Sequence, residues 1–386
     1  MIPLAIPFVD EEEIEEVSAV IRSGWLTQGP AVAKFEEEFA KFCGAKFAVA
    51  VSSCTTGLHL ALKSVGVGEN DEVITPSLSY IATANAIRYC GAIPCFVDVL
   101  RDSYNINTRQ VEAAINANTK AILCVHQMGM PCDIEKLIEI SKKYSLPLIE
   151  DAACASGSKV KLDANWQNIG QPARNCAVFS FHPRKVITTG DGGMVTTNCG
   201  RTAENIRLWR QHGMSISDLK RHKSKKVISE TYECLGYNYR MTDMQAAVGR
   251  VQLKKLNKII SIRKEVASSY QMELSKIDEV ITPIEKDNVS TNWQSYSVYI
   301  SKKNRVDKIM ENLLANGIAS RKGIMCAHLQ QAYKKEPYTW IRKSFKEELK
   351  LPVSEDLSKN SIILPLHHLI KIKDIKYITD KIKEVI

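Results

Sequence analysis

Short apolar stretches rich in β-branched residues alternate with amphipathic stretches through the first half of the chain. Apolar residues at helical spacing predict a first helix over about residues 10–22 and a later one over 133–144. Buried strands are predicted at 45–51, 72–75, 93–97, 121–125, 148–149 and 176–180. Strands that alternate with helices in this way predict an α/β fold with a central, mostly parallel sheet flanked by helices.

The pattern changes in the second half of the chain. An alanine-rich, well-capped helix is predicted to begin near residue 242 and to continue to about residue 275. Strands at 296–300 and 362–364 and helices at 305–316 and 374–385 follow, which is typical of an α+β unit. We therefore expect a large domain over residues 1–250 and a smaller C-terminal α+β domain over residues 251–386, with the N-terminal segment a candidate to pack on the small domain.

The composition is that of an ordinary globular protein, with 45% hydrophobic and 25% charged residues among 386. No apolar run approaches the length of a membrane span, and the start of the chain lacks the features of a signal peptide, so we expect a cytoplasmic protein. Eleven cysteines occur without a CxxC pair or a Cys/His cluster at zinc spacing. This usage favours free thiols in a reducing compartment and no metal site.

The net charge is +9, and lysines are frequent in the last third of the chain. Solvated helix faces are the simplest explanation. The alternative is an electrostatic field that favours anionic ligands such as diphosphates. Nucleic acid is not expected as a partner, because the chain has no RNP motif and no zinc finger.

Lys185 is the first candidate for chemistry, because it lies between the apolar stretches 177–179 and 194–195. A lysine held inside a protein costs stability unless it is paired or neutralised. One reason to retain such a lysine is a Schiff base with an aldehyde cofactor. A pyridine cofactor also needs a carboxylate beside its ring nitrogen, and Asp151 follows a buried strand. A helix cap is the alternative interpretation of Asp151.

The segment from Ser52 to Gly57 links a predicted strand to a predicted helix and is rich in hydroxyl groups. Such a junction forms an anion site, since free backbone N–H groups and hydroxyls point to one place, although a plain helix cap gives the same pattern. In parallel sheets ligands bind beyond the carboxyl ends of the strands. We therefore expect Thr55, Tyr80, His126 and Asp151 to come together.

Five motifs in a fixed order carry a resemblance to a known family. They read Ser-x-Thr-x-Gly-Leu from residue 53, Glu-Asp-Ala-Ala from 150, Ser-Phe-His-x-x-Lys from 180, Gly-Asp-Gly-Gly from 190 and Gly-x-Asn-x-Arg-Met from 236. The chain resembles the DegT/StrS-type sugar aminotransferases, which are fold-type I pyridoxal phosphate enzymes. The similarity extends from residue 25 to residue 367. The ordered set is highly specific, whereas each motif alone is weak.

The resemblance assigns a role to each matched residue. Lys185 would form the internal aldimine with pyridoxal 5'-phosphate and move protons, Asp151 would pair with the pyridinium nitrogen, and Tyr80 would stack on the ring. The cofactor phosphate would be held by three hydroxyls, those of Thr55, Thr56 and Ser180.

The resemblance also implies a homodimer with shared active sites, because Asn238 matches a position that reaches the phosphate from the partner subunit. Arg240 beside it would support either the dimer or an anionic ligand. Trp25, Thr27 and His328 resemble segments near the sugar. The alternatives are a packing contact between domains for Trp25 and a surface or packing histidine for His328. Cys154 departs from the family, which usually carries His or Gln there to reach the phenolic oxygen of the cofactor, and a thiol is a weaker hydrogen-bonding group.

The implied reaction is a ping-pong transfer of an amino group from L-glutamate to a sugar carried on a nucleotide diphosphate. The segments 182–185 and 188–193 resemble enzymes that aminate C4 of a 4-keto-6-deoxy sugar, as in the biosynthesis of polysaccharides such as lipopolysaccharide O-antigen. The alternatives are a C3-specific sugar aminotransferase and a sugar dehydratase that uses the pyridoxal or pyridoxamine form of the cofactor, although relatives of the latter kind carry His in place of Lys185. A DNA-binding regulator is a further alternative, but the N-terminus is too short for a helix-turn-helix appendage.

Overall fold

The computed structural model describes residues 1–216, 221–222, 224–227, 229–341 and 349–386. An eight-stranded sheet forms its centre. The strands of this sheet are β1 (Phe47–Val51), β2 (Glu72–Pro76), β3 (Ile93–Val97), β4 (Thr119–Val125), β5 (Leu148–Asp151), β8 (Cys176–Ser180), β9 (Gly193–Thr197) and β14 (Thr339–Trp340). Their order across the sheet is β1-β9-β8-β5-β4-β2-β3-β14. Neighbours from β8 to β14 are parallel, and β9 is antiparallel to both β1 and β8.

Helices cover both faces of this sheet because its strands alternate their apolar side chains. In β4, Ala121 and Leu123 pack in one hydrophobic cluster, whereas Ile122 and Cys124 pack in another on the opposite face. The helices of the first half are α1 (Glu11–Ser23), α2 (Pro30–Cys43), α3 (Cys54–Ser64), α4 (Ala82–Tyr89), α5 (Thr108–Ala114), α6 (Ile134–Lys143) and α7 (Gly200–Trp209). A mostly parallel sheet buried on both faces confirms the predicted α/β fold.

A second, four-stranded antiparallel sheet lies in the C-terminal part. Its strands are β10 (Val280–Ile281), β12 (Tyr296–Ile300), β13 (Arg321–Lys322) and β15 (Ser361–Leu364), and its neighbouring helices are α9 (Val306–Ala315), α10 (Pro352–Asn360) and α11 (Ile372–Lys383). The strand order is β10-β12-β15-β13. Residues of β10, β12, β15, α9 and α11 belong to one separate hydrophobic cluster. This arrangement confirms the predicted α+β character of the C-terminal part.

The two parts are connected closely around the predicted boundary at residue 250. Helix α8 (Asp243–Leu274) continues across it, and β11 (Val289–Ser290) pairs with the hairpin of β6 (Lys159–Leu162) and β7 (Asn165–Asn168). At the N-terminus, Ile2 forms a bridge with Ile318. The division into domains 1–250 and 251–386 therefore stays a proposal. None of the helices in the described ranges has the length and apolar character needed to cross a membrane.

Candidate active site

A cavity of about 390 Å³ lies beyond the carboxyl ends of the parallel strands and is closed on one side by residues of the four-stranded sheet. Six of the residues singled out in the sequence line it: Thr55, Tyr80, Asp151, Cys154, Ser180 and Lys185. They come from four separate connections of the large sheet. Their convergence follows from the parallel arrangement, which places the ends of β2, β5 and β8 at one edge.

Lys185 lies in the loop after β8 and is half-buried. Its Nζ donates a hydrogen bond to Cys154 Sγ at 3.1 Å. Burial lowers the pKa of Lys185, but Cys154, Cys54 and Asp151 raise it by more, so its pKa lies above the ordinary value of a lysine. The amine is therefore protonated in the cofactor-free protein at neutral pH, and it must lose a proton before it can act as a nucleophile.

The loop around Lys185 is held by a local turn and by one residue distant in sequence. The main-chain N–H of Lys185 donates to His182 O at 2.8 Å. The side chain of Gln294 accepts a hydrogen bond from Val186 N at 2.9 Å and donates to Arg184 O at 2.7 Å. Gln294 was not predicted from the sequence, because its position before β12 gives no local sign of a contact with the lysine loop.

Asp151 ends strand β5 and its carboxylate faces the cavity. Its Oδ2 accepts a hydrogen bond from Thr83 Oγ1 at 2.8 Å, and its Oδ1 accepts one from Ala153 N at 3.1 Å. Burial raises the pKa of Asp151, although both hydrogen bonds and the charge of Lys185 act in the opposite direction. A cation bound next to this carboxylate would compensate for the cost of burying it.

The start of helix α3 provides donors for an anion. Ser53 caps the helix and exchanges hydrogen bonds with Thr56. In the described part of the chain, the backbone N–H groups of Cys54 and Thr55 have no acceptor. Gly193 lies against this turn so closely that a Cβ on it would be 2.6 Å from the carbonyl carbon of Ser53. These features fit a phosphate group, which helix N-termini bind through free N–H groups.

The predicted hydroxyls differ in their placement. Thr55 and Ser180 line the cavity, and Ser180 Oγ accepts a hydrogen bond from His182 N at 3.4 Å. The hydroxyl of Thr56 instead donates to Ser53 O at 2.8 Å within the cap, and Thr56 does not line the cavity. Tyr80 lies at the mouth of the cavity with 59% of its surface exposed.

His126 was expected beside these residues. Its main-chain N–H donates to Asp151 O at 3.1 Å, but its ring does not line the cavity. The ring is fully buried behind β5, where Nε2 lies 3.1 Å from Glu150 Oε2. Its Nδ1 accepts a hydrogen bond from Cys132 N at 3.0 Å. Although His126 follows a strand end, its side chain points below the sheet edge and packs in the interior.

Five other predicted residues lie outside this cavity in the single chain. Asn238 pairs with Gln211 through the backbone, and Arg240 lines a separate surface depression. Trp25 and Thr27 line another depression. His328 is buried, with Nδ1 2.6 Å from Ser77 Oγ. Their roles stay predictions, and the role predicted for Asn238 involves a second subunit.

Comparison with known proteins gives a consistent set of similarities. The model of the DegT/DnrJ/EryC1/StrS aminotransferase family matches residues 7–383. The spore coat polysaccharide biosynthesis protein SpsC of Bacillus subtilis is 34% identical over 389 residues, which cover 100% of this chain and 97% of that protein.

Two solved structures illustrate the similarity in three dimensions. PseC of Helicobacter pylori, an aminotransferase involved in the biosynthesis of pseudoaminic acid, has a TM-score of 0.88 and 28% identity, covering 100% of this chain and 98% of that chain. Spr1654 of Streptococcus pneumoniae in its PLP-form has a TM-score of 0.87 and 26% identity, covering 100% of this chain and 97% of that chain.

Proposed function

The chain belongs to the DegT/DnrJ/EryC1/StrS aminotransferase family, and we propose that it is a pyridoxal phosphate-dependent enzyme that moves an amino group from L-glutamate to C4 of a nucleotide-linked 4-keto-6-deoxy sugar. Aminotransferases of this family depend on pyridoxal phosphate, and the similar structure of Spr1654 is in the PLP-form. The observation that carries the proposal is the convergence of Lys185, Asp151 and the start of α3 on one cavity.

The residues of the cavity fit the parts of this cofactor. The phosphate would be held by the N–H groups of Cys54 and Thr55 and by the hydroxyls of Thr55 and Ser180. Thr56 would support this phosphate site by capping helix α3. In a homodimer, Asn238 of the partner subunit would complete the site. Tyr80 would cover one face of the ring, and Cys154 would contact its edge.

When bound, pyridoxal phosphate supplies an electron sink for carbanion chemistry. Asp151 would keep the ring nitrogen protonated, because an opposite charge favours the protonated form. Lys185 Nζ would attach to the cofactor between turnovers, and after release it would take a proton from one substrate carbon and return it at another position. Both substrates would use the same cavity in turn, which is the basis of ping-pong kinetics.

The substrate class is supported by the charges of the cavity. Arg184 and Arg321 line it together with Lys185, whereas its acidic residues are Asp151 and Asp191. This surplus of cations suits the carboxylates of glutamate and the diphosphate of a nucleotide sugar. The segments 182–185 and 188–193 support amination at C4 through the resemblance. Trp25, Thr27, His328 and Arg240 are proposed to contact the sugar nucleotide in the dimer.

Purified protein, pyridoxal phosphate, glutamate and a panel of nucleotide-linked keto sugars would test the proposal by mass spectrometry of the products. We expect an amino sugar with the nitrogen at C4 and 2-oxoglutarate in equal amount. Amination at C3, or a deoxy sugar without nitrogen, would contradict the proposed reaction. Lys185→Ala should lose turnover and the near-visible absorption of the lysine-bound cofactor, and retained amino transfer in that variant would contradict the role of Lys185.

A further inference from the structure

Gln294 connects the loop that carries Lys185 to the start of the small sheet. The two hydrogen bonds of its side chain go to Val186 N and Arg184 O, at 2.9 and 2.7 Å. These two groups belong to the residues immediately after and before Lys185. Gln294 is 9% exposed, and it also lines the cavity. One amide therefore holds the backbone of Lys185 from both sides.

The backbone of Gln294 is itself fixed from two directions. Its N–H donates to Asn292 Oδ1 at 2.9 Å, and its carbonyl accepts from Arg263 Nη1 at 3.3 Å. Asn292 Nδ2 also donates to the carbonyl of Cys154 at 2.8 Å. The same short segment thus anchors both loops whose side chains meet in the contact between Lys185 Nζ and Cys154 Sγ.

We propose that Gln294 is a positioning residue for Lys185, an inference that rests on the proposed function. The lysine side chain is flexible, and its amine has to reach the cofactor at one point of the cycle and a substrate proton at another. A backbone held on both sides restricts the positions that Nζ can reach. Positioning matters because a shift of about 1 Å in a reacting group can cost about 100-fold in rate.

Gln294→Leu removes both hydrogen bonds while it keeps a similar volume. We expect kcat to fall roughly 10- to 100-fold while KM stays within about threefold, since the change removes none of the charged groups that line the cavity. In the cofactor-free protein, the N–H of Val186 should exchange with deuterium at least about tenfold faster, because it loses its acceptor. Gln294→Glu keeps the acceptor for Val186 N and loses only the donor to Arg184 O. Its kcat should therefore lie between those of Gln294→Leu and the unaltered protein.

Asn105→Leu is the matched control. Asn105 is 2% exposed, and its side chain makes three hydrogen bonds to the main chain, with Met130, Pro131 and Gln127. The two leucine variants should lose comparable thermal stability. Only Gln294→Leu should change kcat and the exchange of Val186.

Equal effects of the two leucine variants on kcat at matched stability, or unchanged exchange of Val186, would overturn the inference. If Gln294→Leu does not fold, Gln294→Glu replaces it with kcat as the readout, and a kcat equal to that of the unaltered protein would overturn the inference. The outcome is separable from the proposed function. Failure of pyridoxal phosphate to attach to Lys185 in the unaltered protein would contradict that function, whereas normal turnover in the Gln294 variants would contradict only the positioning role.

Discussion

Replacement of Asp151 by asparagine separates the effect of this carboxylate on the stability of the protein from its proposed role in binding the cofactor. Asp151 is 4% exposed, and burial raises its pKa despite hydrogen bonds from Thr83 and Ala153. An acid whose pKa is raised on folding opposes folding when it ionises, so its ionised form is a burden on the cofactor-free protein near neutral pH. We therefore expect Asp151→Asn to keep or raise the melting temperature of the cofactor-free protein.

The affinity for pyridoxal phosphate should fall in the same variant. Asparagine at this position still offers a hydrogen bond to the ring nitrogen, but it provides no charge. A hydrogen bond to a charged group contributes about 1.5–3 kcal/mol and a neutral one about 0.5–1.5 kcal/mol, and the difference of about 1–1.5 kcal/mol corresponds to about 5- to 13-fold in affinity. Titration of cofactor-free protein with pyridoxal phosphate, followed by fluorescence, should show a loss of this size.

Glu150→Gln is the matched control for this prediction. Glu150 precedes Asp151 in β5 and points to the opposite side, where it contacts His126 at 3.1 Å and accepts a hydrogen bond from Ala173 N at 2.9 Å. Its replacement should lower the melting temperature and leave cofactor affinity within about twofold, because it removes a buried ionic hydrogen bond away from the cavity. If Asp151→Asn binds pyridoxal phosphate as well as Glu150→Gln does, the pairing of Asp151 with the ring is refuted.

Three further predictions concern a buried histidine of helix α3 and two residues at the cavity. Burial, with a smaller effect of Lys63, lowers the pKa of His59 from 6.5 to about 4, so the folded state disfavours the protonated ring and stability falls as pH drops from 6.5 toward 4. Denaturant unfolding should show that His59→Gln loses about 3 kcal/mol less than the unaltered protein between pH 7 and pH 4, and equal losses would be inconsistent with this. Gly193→Ala should weaken pyridoxal phosphate binding at least about tenfold in the same titration, because its Cβ would displace the turn at Ser53; unchanged affinity would rule out this close approach. Arg321→Met should raise the KM for glutamate or for the keto sugar about tenfold or more, whereas Lys322→Met, which removes only an ion pair 2.8 Å long with Asp307, should change neither KM.

The sequence was sufficient to predict the longer elements and the candidate residues Lys185 and Asp151. The short strands β6, β7, β10, β11, β13 and β14 were not predicted. The strands and the long helix follow from local apolar patterns, and helix α8 begins and ends within about two residues of its prediction. Lys185 and Asp151 both line the same cavity, as the position of strand ends implies. The orientation of single side chains was harder to predict. Glu150 and Asp151 are adjacent carboxylates at one strand end, and only the phase of the strand decides which of them faces the cavity.

The roles of some side chains could not be predicted from the sequence, because they depend on the contacts that those side chains make in the folded chain. Thr56 lies in a hydroxyl-rich turn, but its hydroxyl is used by the helix cap. Gln294 contacts the lysine loop across a separation of 108 residues. No local pattern marks such a residue, because its importance depends on how the small sheet packs against the large one.

The lysine loop is therefore supported from outside the sheet that carries it. Besides the two hydrogen bonds of Gln294, the N–H of Thr188 donates to Gln252 Oε1 of helix α8 at 3.3 Å. Helix α8 in turn contacts the start of β12, where Arg263 donates to the carbonyl of Trp293 at 3.0 Å. Helix α8 and the segment before β12 thus hold the loop of Lys185 together with β8. Shifts of the small sheet against the large one would reach the lysine directly, because the residues that form the wall of the cavity also fix its backbone.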